Sequence, residues 1–206
     1  MRDDEHGGSE LTETVRCLSA NMSREQLFRT VLPQGLAGRL LAMISPVRGV
    51  AEAFIPFHLF DVTINNAGRT ETRQFAIDAV THGLDLYEVN HNKLITAELN
   101  PRNLIPASDN SEQAEHALIE RVRRMVFRRG FFAVRDMTIT AALVNTFYVP
   151  YWVVLAGGEH DLKLRVFDAV RCRPEGAKVR AIVRQWILAS DSRTPARANR
   201  QPTRSS

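Results

Sequence analysis

Two stretches of the sequence resemble each other: AFIPFHLFDVTI at residues 53–64 and FYVPYWVVL at residues 147–155. When Pro56 is aligned with Pro150, aromatic and aliphatic residues fall at matching positions on either side. Aromatic and β-branched residues favour the pleated, half-buried surface of a β-sheet. Both stretches are therefore predicted to be strands that occupy the same place in a repeated unit.

The segments that follow the two stretches also match. Turn-forming residues come first, NNAG at 65–68 and AGGEH at 156–160, and each segment can supply the positive φ that a tight hairpin needs. Next come QFAIDAVTHG at 74–83 and LRVFDAVRCRPEG at 164–176, which share the triplet Asp-Ala-Val. We expect the two halves of the chain to be diverged copies of one unit. The alternative is two ordinary hairpins that share a proline by chance.

Helical patterns precede and follow these hairpins. Ser23 begins the sequence SREQ, which resembles the capping box at the start of a helix. Residues 111–129 repeat apolar side chains with the period of a helix and end in arginines, which suits the helix dipole. Further helices are predicted over 35–44 and 176–188. The sequence thus predicts an α+β fold in which a duplicated helix–β-hairpin unit forms an antiparallel sheet with helices packed on it.

The chain is predicted to divide into four segments. Residues 1–22 are expected to be a mostly flexible acidic segment, residues 23–100 the first α+β repeat and residues 101–189 the second. The two repeats should form one globular domain. Residues 190–206 are expected to be a disordered basic tail, because the segment has almost no apolar side chain to bury.

Composition and charge argue against several classes of protein. The chain has 206 residues, 44% of them hydrophobic, which is enough to build a core. The net charge of +4 comes from four arginines in the last 15 residues, so the body of the chain is neutral. A neutral body argues against a large basic surface for nucleic acid. No stretch approaches the roughly 20 apolar residues of a membrane span. We expect a cytoplasmic protein without a membrane span.

Motifs for metal binding, cofactors and catalysis are not found in the sequence. Cys17 and Cys172 stand alone and the histidines lack the HExxH spacing, so no metal site is predicted. The patterns GxxxxGK[ST], GxGxxG and GxSxG are missing as well. We therefore expect no cofactor, and a non-catalytic role is favoured over an enzyme.

The candidate partner-binding or ligand-binding residues flank the two prolines. They are Phe57, His58, Tyr151 and Trp152. Because proline cannot donate to a ladder, Pro56 and Pro150 are predicted to lie at a sheet edge, a strand entry or a bulge. Aromatic side chains at such a place can contact a partner strand or line a pocket. The alternative interpretation is that they fill the core.

Two further features carry charge. Arg121, Arg124 and Arg128 share one helix face and form a candidate anion-binding site, the alternative being a solvated face whose stems cover apolar surface. Asp78 and Asp168 recur at the same place in the two halves. We interpret them as structural acids at the strand ends, where an aspartate can accept hydrogen bonds from the turn that follows.

The function predicted from these features is a non-catalytic binding or assembly module. Its aromatic, proline-containing strands would be presented to a protein partner, to a second copy of the chain or to a small ligand. The first alternative is a nucleic-acid-associated or regulatory protein that uses the arginine-rich helix 121–129 and the basic tail. The second alternative is a small enzyme with a cleft between the repeats, around His58, Asp61 and Trp152.

Overall fold

The computed structural model describes residues 11–32, 46–66, 68–87, 89, 94–129, 136–158 and 161–191. In chain order its elements are β1 (Glu13–Leu18), α1 (Arg24–Val31), β2 (Val47–Asn66), β3 (Arg69–Asp78), β4 (Leu94–Leu99), α2 (Ser111–Arg129), β5 (Thr138–Ala156), β6 (Lys163–Asp168), β7 (Arg173–Pro174) and α3 (Ala177–Asp191). A single 3₁₀ turn, Pro101–Asn103, lies between β4 and α2. The described helices are not long and apolar enough to cross a membrane.

The strands form one mixed sheet in the order β3-β2-β5-β1-β4, with β6 paired to β5 and β7 paired to β6. β2 and β5 lie antiparallel along nearly their whole length and form its centre. Gly68 and Gly157 supply a positive φ, 75° and 123°, in the two predicted hairpin turns. The α+β class is thus confirmed.

The wholly antiparallel sheet predicted above is wrong, because two contacts in the sheet are parallel. Cys17 of β1 pairs in parallel with Tyr148, and Leu104 forms a parallel bridge with Phe54. β1 also pairs with β4, and it lies inside the segment 1–22 that was expected to be mostly flexible. Short strands that are not joined to their neighbours by a hairpin turn leave little signal in the sequence.

Pro56 and Pro150 lie in the middle of the two central strands rather than at an edge or an entry. The carbonyl of Pro56 accepts a hydrogen bond from the amide of Ala79 at 2.8 Å, and that of Pro150 accepts one from Ala169 at 3.1 Å. In an antiparallel sheet the N–H and C=O of one residue point to the same side. Each proline nitrogen therefore points away from the ladder between β2 and β5, and that ladder loses no hydrogen bond.

Both faces of the sheet are covered by helices. On the first face, α3 packs Val179, Ile182 and Val183 into the core cluster that contains Phe57 and Tyr151. On the second face, α1 and α2 each pack in a separate core cluster, α1 with Trp152 of β5 and α2 with Phe60 of β2. This cover explains why β2 and β5 are apolar on both faces.

The two helices of the second face contact strands from both halves of the chain. α1 precedes β2 but packs Leu27 and Val31 on Trp152 and Phe167 of the β5–β6 hairpin. α2 packs on the β2–β3 hairpin and on the start of β5. Its buried side chains are Ala114, Leu118 and Val122. These helices therefore connect the two halves of the chain.

The helix starts follow the sequence closely. Ser23 and Gln26 form the predicted capping box of α1, with hydrogen bonds of 3.2 and 2.8 Å. At α2 the amide of Gln113 donates to Oδ1 of Asn110 at 3.2 Å, and Nδ2 of Asn110 donates to Oε1 of Gln113 at 3.1 Å. Asn110, one residue before the predicted Ser111, is thus the cap. The predicted helix 176–188 is present as α3, and the predicted helix 35–44 lies outside the described residues.

Candidate functional site

The four aromatic candidates do not form one surface. Phe57 and Tyr151 point to the first face and their neighbours His58 and Trp152 to the second, because adjacent residues in a strand point to opposite faces. All four side chains are buried, with exposures between 1% and 9%. The pair on the first face, Phe57 and Tyr151, lines a cavity.

Trp152 has the surroundings of a core residue. Its indole packs among Met22, Leu27 and Phe167, under the first turn of α1. Its Nε1 donates a hydrogen bond of 2.9 Å to the carbonyl of Met22. The indole therefore ties the start of α1 to the sheet, and its edge is not offered to a partner.

His58 is 6% exposed and has one polar contact within the described residues. Its Nδ1 lies 2.8 Å from Oγ1 of Thr146, and its ring stands edge-on to Phe60. Burial lowers the pKa of His58, and repulsion from His82 lowers it further, while Asp78 opposes both effects. His58 is therefore neutral in the folded protein at neutral pH.

This lowered pKa predicts a loss of stability in mild acid. The pKa of His58 lies below its ordinary value of 6.5 in the folded protein, so the unfolded chain binds the proton more readily and stability falls as the pH drops below that value. We expect urea unfolding between about pH 7.5 and pH 5.5 to show this fall. His58→Gln, which does not titrate, should show a smaller fall. An equal fall in both proteins would contradict the prediction.

The three candidate arginines of α2 do not converge on one site. Arg121 donates hydrogen bonds to the carbonyls of His82, at 2.6 Å, and Leu84. Arg124 donates to a carbonyl of its own helix, and Arg128 is exposed. Arg121 is thus committed to a loop, which leaves little of the predicted anion site.

A cavity of about 220 Å³ opens on the first face, beside the N-terminus of α3. We call it the α3 cavity. Its apolar lining consists of Phe57, Leu84, Tyr87, Tyr151 and Val179. The polar lining consists of Asp85, Arg171, Arg173, Glu175 and Lys178, and Gly176 and Ala177 complete it. The cavity thus combines an aromatic wall with charged groups at one end.

One wall of the α3 cavity, residues 82–87, is held by cations that bind its carbonyl groups. Arg121 binds the carbonyls of residues 82 and 84 from α2. Lys178 of α3 donates to the carbonyl of Gly83 at 2.9 Å, and Arg171 donates to that of Leu86 at 3.5 Å. The carboxylate of Asp78 accepts from the amide of Leu84 at 2.8 Å. Contacts from α2, α3, Arg171 and Asp78 therefore hold this wall in place.

Tyr87 connects this wall to the buried carboxylate of Asp168. Its hydroxyl donates to Asp168 at 3.3 to 3.4 Å, and the guanidinium of Arg171 lies 3.7 Å from the centre of its ring. The pKa of Tyr87 is raised well above its usual range, first by burial and then by the charge of Asp168. Tyr87 therefore keeps its proton and positions Arg171 beside the cavity.

Tyr151 presents a hydroxyl with no partner to the same cavity. The side chain is 3% exposed, yet no group within the described residues forms a hydrogen bond with its hydroxyl. The hydroxyl is also not among the unpartnered polar atoms that are sealed from solvent. Burial raises the pKa of Tyr151 well above its usual range. Tyr151 is thus a protonated donor that faces the α3 cavity.

The charged end of the α3 cavity is formed by the start of α3 and the strand before it. The Nε of Arg173 lies 3.5 Å from Glu175, and burial raises the pKa of Glu175. Gly176 precedes the helix and offers no side chain to cap it, and the first turn contains no acidic residue. This end of the cavity therefore combines the Arg173–Glu175 ion pair with helix-start amides that no acidic side chain in the first turn caps.

The sequence pointed to Phe57 and Tyr151 but not to the polar part of this site. Tyr87 and Arg171 are far apart in the chain and meet only in the fold. The one available signal was RCRPEGAK at 171–178, in which basic residues stand directly before a helix start. Within the ranges described, no three metal-ligating side chains form a cluster. No protein-family model, curated protein or solved structure matches this chain.

Proposed function

We propose that this protein is a non-catalytic binding module that holds a small ligand in the α3 cavity. The observation that carries the proposal is the unpartnered hydroxyl of Tyr151 in an aromatic cavity. A dry cavity of about 150 Å³ is enough for a benzene molecule. The α3 cavity, at about 220 Å³, has room for one ring with a polar substituent.

The chemistry of the cavity favours binding over catalysis. The pKa values of Tyr87 and Tyr151 are both raised, so neither hydroxyl acts as a base or a nucleophile at neutral pH. Asp168 is fully buried and is occupied by the hydroxyl of Tyr87 and by the amides of Val170 and Arg171. These groups are arranged to orient a bound molecule.

We also infer that the two halves of the chain are copies of one helix–hairpin unit. The hairpins support this inference because Phe57 pairs with Asp78 as Tyr151 pairs with Asp168. Each aspartate accepts hydrogen bonds from the turn amides after it. Four residues beyond each aspartate the chain takes a positive φ, 53° at His82 and 55° at Cys172.

The helix starts support the same inference. The amides of Asn21 and Met22, just before α1, donate to the carbonyl of Ala169 at 2.8 Å. In the other half, the amide of Ser108, just before α2, donates to the carbonyl of Ala79 at 2.7 Å. On this reading Phe57 and Tyr151 are equivalent positions, and the α3 cavity lies between the two copies.

Blocking the mouth of the α3 cavity tests the proposed function. Ala177 lines the cavity and is exposed, so Ala177→Trp should place an indole in the opening. We expect a panel of one-ring acids, amides and amines to yield binders of the natural protein by ligand-observed NMR, and these signals should disappear with Ala177→Trp.

The matched control is Ala181→Trp, one turn further along α3, where alanine is exposed and lies outside the cavity lining. This variant should bind the same molecules as the natural protein. The proposal is wrong if no member of the panel binds the natural protein, or if Ala177→Trp binds as well as Ala181→Trp.

A further inference from the structure

We propose that the ligand of the α3 cavity is a small aromatic acid whose anionic group binds at the N-terminus of α3. This inference names a ligand class and rests on the proposed function above. Four features support this ligand class: the uncapped start of α3, the Tyr151 hydroxyl, the charged side chains and the apolar wall of the cavity.

The N-terminus of α3 differs from those of the other two helices. The first amides of any helix have no acceptor within the helix. Side chains satisfy them in α1, through Ser23, and in α2, through Asn110. At α3 the N-cap is Gly176, and no described side chain accepts from the amides that follow it. An anion bound there would accept these hydrogen bonds and complement the helix dipole.

The hydroxyl of Tyr151 is an independent sign of a ligand acceptor. The hydroxyl of a buried side chain normally has a hydrogen-bond partner. Tyr151 has none among the residues described, although it is 3% exposed and lines the cavity. An oxygen of a bound acid would accept its proton. The hydroxyl and the α3 amides then belong to one set of donors in one cavity.

The charges around the cavity also favour an anion. Of the three cations that line the cavity, Arg171 lies 3.9 Å from the buried Asp168 and Arg173 lies 3.5 Å from Glu175. The third, Lys178, stands in the first turn of α3, where it adds to the positive end of the dipole. A ligand carboxylate is attracted by Lys178 and by the helix start.

The apolar wall of the cavity indicates the chemistry of the ligand beyond its anionic group. Phe57 and Tyr87 stand edge to face with ring centres 5.5 Å apart, and Leu84 and Val179 complete an apolar surface. Such a surface accommodates a planar ring through offset or edge-to-face contacts. The volume of about 220 Å³ limits the ligand to about one ring.

Benzoate and benzamide, which have nearly the same shape, provide the test. We expect the full-length protein to bind benzoate at least about tenfold more tightly than benzamide in calorimetric titrations. Ala177→Glu puts a carboxylate in the first turn of α3, and should weaken benzoate binding by about tenfold or more and benzamide binding much less. Tyr151→Phe should weaken benzoate binding by about fivefold, because one donor is lost.

Two control variants separate the effect of the introduced charge on benzoate binding from the effects of side-chain size and position. Ala177→Gln introduces a side chain of the same size without charge, and Ala181→Glu introduces the same charge one turn further along α3. Ala177→Gln should bind benzoate at least about tenfold more tightly than Ala177→Glu, and Ala181→Glu should bind it like the natural protein. Ala177→Glu should melt no lower than Ala177→Gln, since an acid in the first turn suits the helix dipole, so a loss of binding cannot be ascribed to unfolding.

The outcomes distinguish this inference from the proposed function. If benzamide binds as tightly as benzoate, or if Ala177→Glu keeps its affinity for benzoate, the aromatic-acid inference is wrong and the cavity remains a binding site. If neither probe binds and the Ala177→Trp experiment detects no binder either, both proposals are wrong.

Discussion

Replacing Trp152 by alanine should lower the free energy of unfolding by about 3–5 kcal/mol, as truncation of a buried tryptophan usually does. The indole fills the space between the β5–β6 hairpin and Leu27 of α1, and its Nε1 holds the carbonyl of Met22. Alanine would leave a cavity and a carbonyl without its donor. Urea unfolding followed by far-UV circular dichroism measures the loss without relying on tryptophan emission.

Trp152→Phe is the matched control, because it keeps most of the apolar volume and removes the hydrogen bond. We expect it to cost about 1–2 kcal/mol. Fluorescence gives a second readout, since Trp186→Phe leaves Trp152 as the only tryptophan. Its emission should be blue-shifted and independent of protein concentration. A loss below about 1 kcal/mol for Trp152→Ala, together with emission that shifts on self-association, would instead identify an interface residue.

The aromatic stretches predicted the two central strands but not what covers them. Apolar residues on both sides of β2 and β5 indicated either two covered faces or one face that awaits a partner. Both faces are covered within the chain, by α1 and α2 on one side and by α3 on the other. Trp152 consequently lies beneath α1 and His58 is buried, so within one copy of the chain neither side chain is displayed to a partner.

Local patterns predicted the helices well because their signals lie within a few residues of one another. The Ser23 capping box and the apolar period of α2 are examples. The parallel contact between Cys17 and Tyr148 joins residues far apart in the sequence, and no local pattern encodes it. The packing of α1 on the β5–β6 hairpin was not predictable for the same reason.

The α3 cavity likewise depends on contacts between residues that are far apart in the sequence. Phe57 and Tyr151 were singled out because they flank the prolines, whereas Tyr87 has no neighbour in the sequence that suggests a site. Its role depends on Asp168, to which its hydroxyl donates, and on Arg171, which lies over its ring. A site assembled from a loop, a turn and a helix start becomes visible only when the fold brings these groups together.

The recurring aspartates have the surroundings that the sequence suggested, and Asp78 has the denser network of the two. Its side chain is fully buried. It accepts hydrogen bonds from the amides of Thr81 at 2.7 Å, His82 at 3.1 Å and Leu84 at 2.8 Å. The hydroxyl of Thr81 donates a fourth bond at 3.0 Å. One carboxylate therefore organises the whole turn that leads into the wall of the α3 cavity.

Asp78→Ala should lower the free energy of unfolding by about 3–5 kcal/mol, because it leaves several buried amides without an acceptor. Asp78→Asn keeps one acceptor oxygen but turns an NH₂ group toward an amide that needs an acceptor, so we expect an intermediate loss. Asp61→Ala, on the more exposed part of β2, should cost less than about 1 kcal/mol. Urea unfolding of the three variants gives the order. If Asp78→Ala lowers the free energy of unfolding no more than Asp61→Ala does, the turn amides do not depend on the carboxylate of Asp78, and the prediction is wrong.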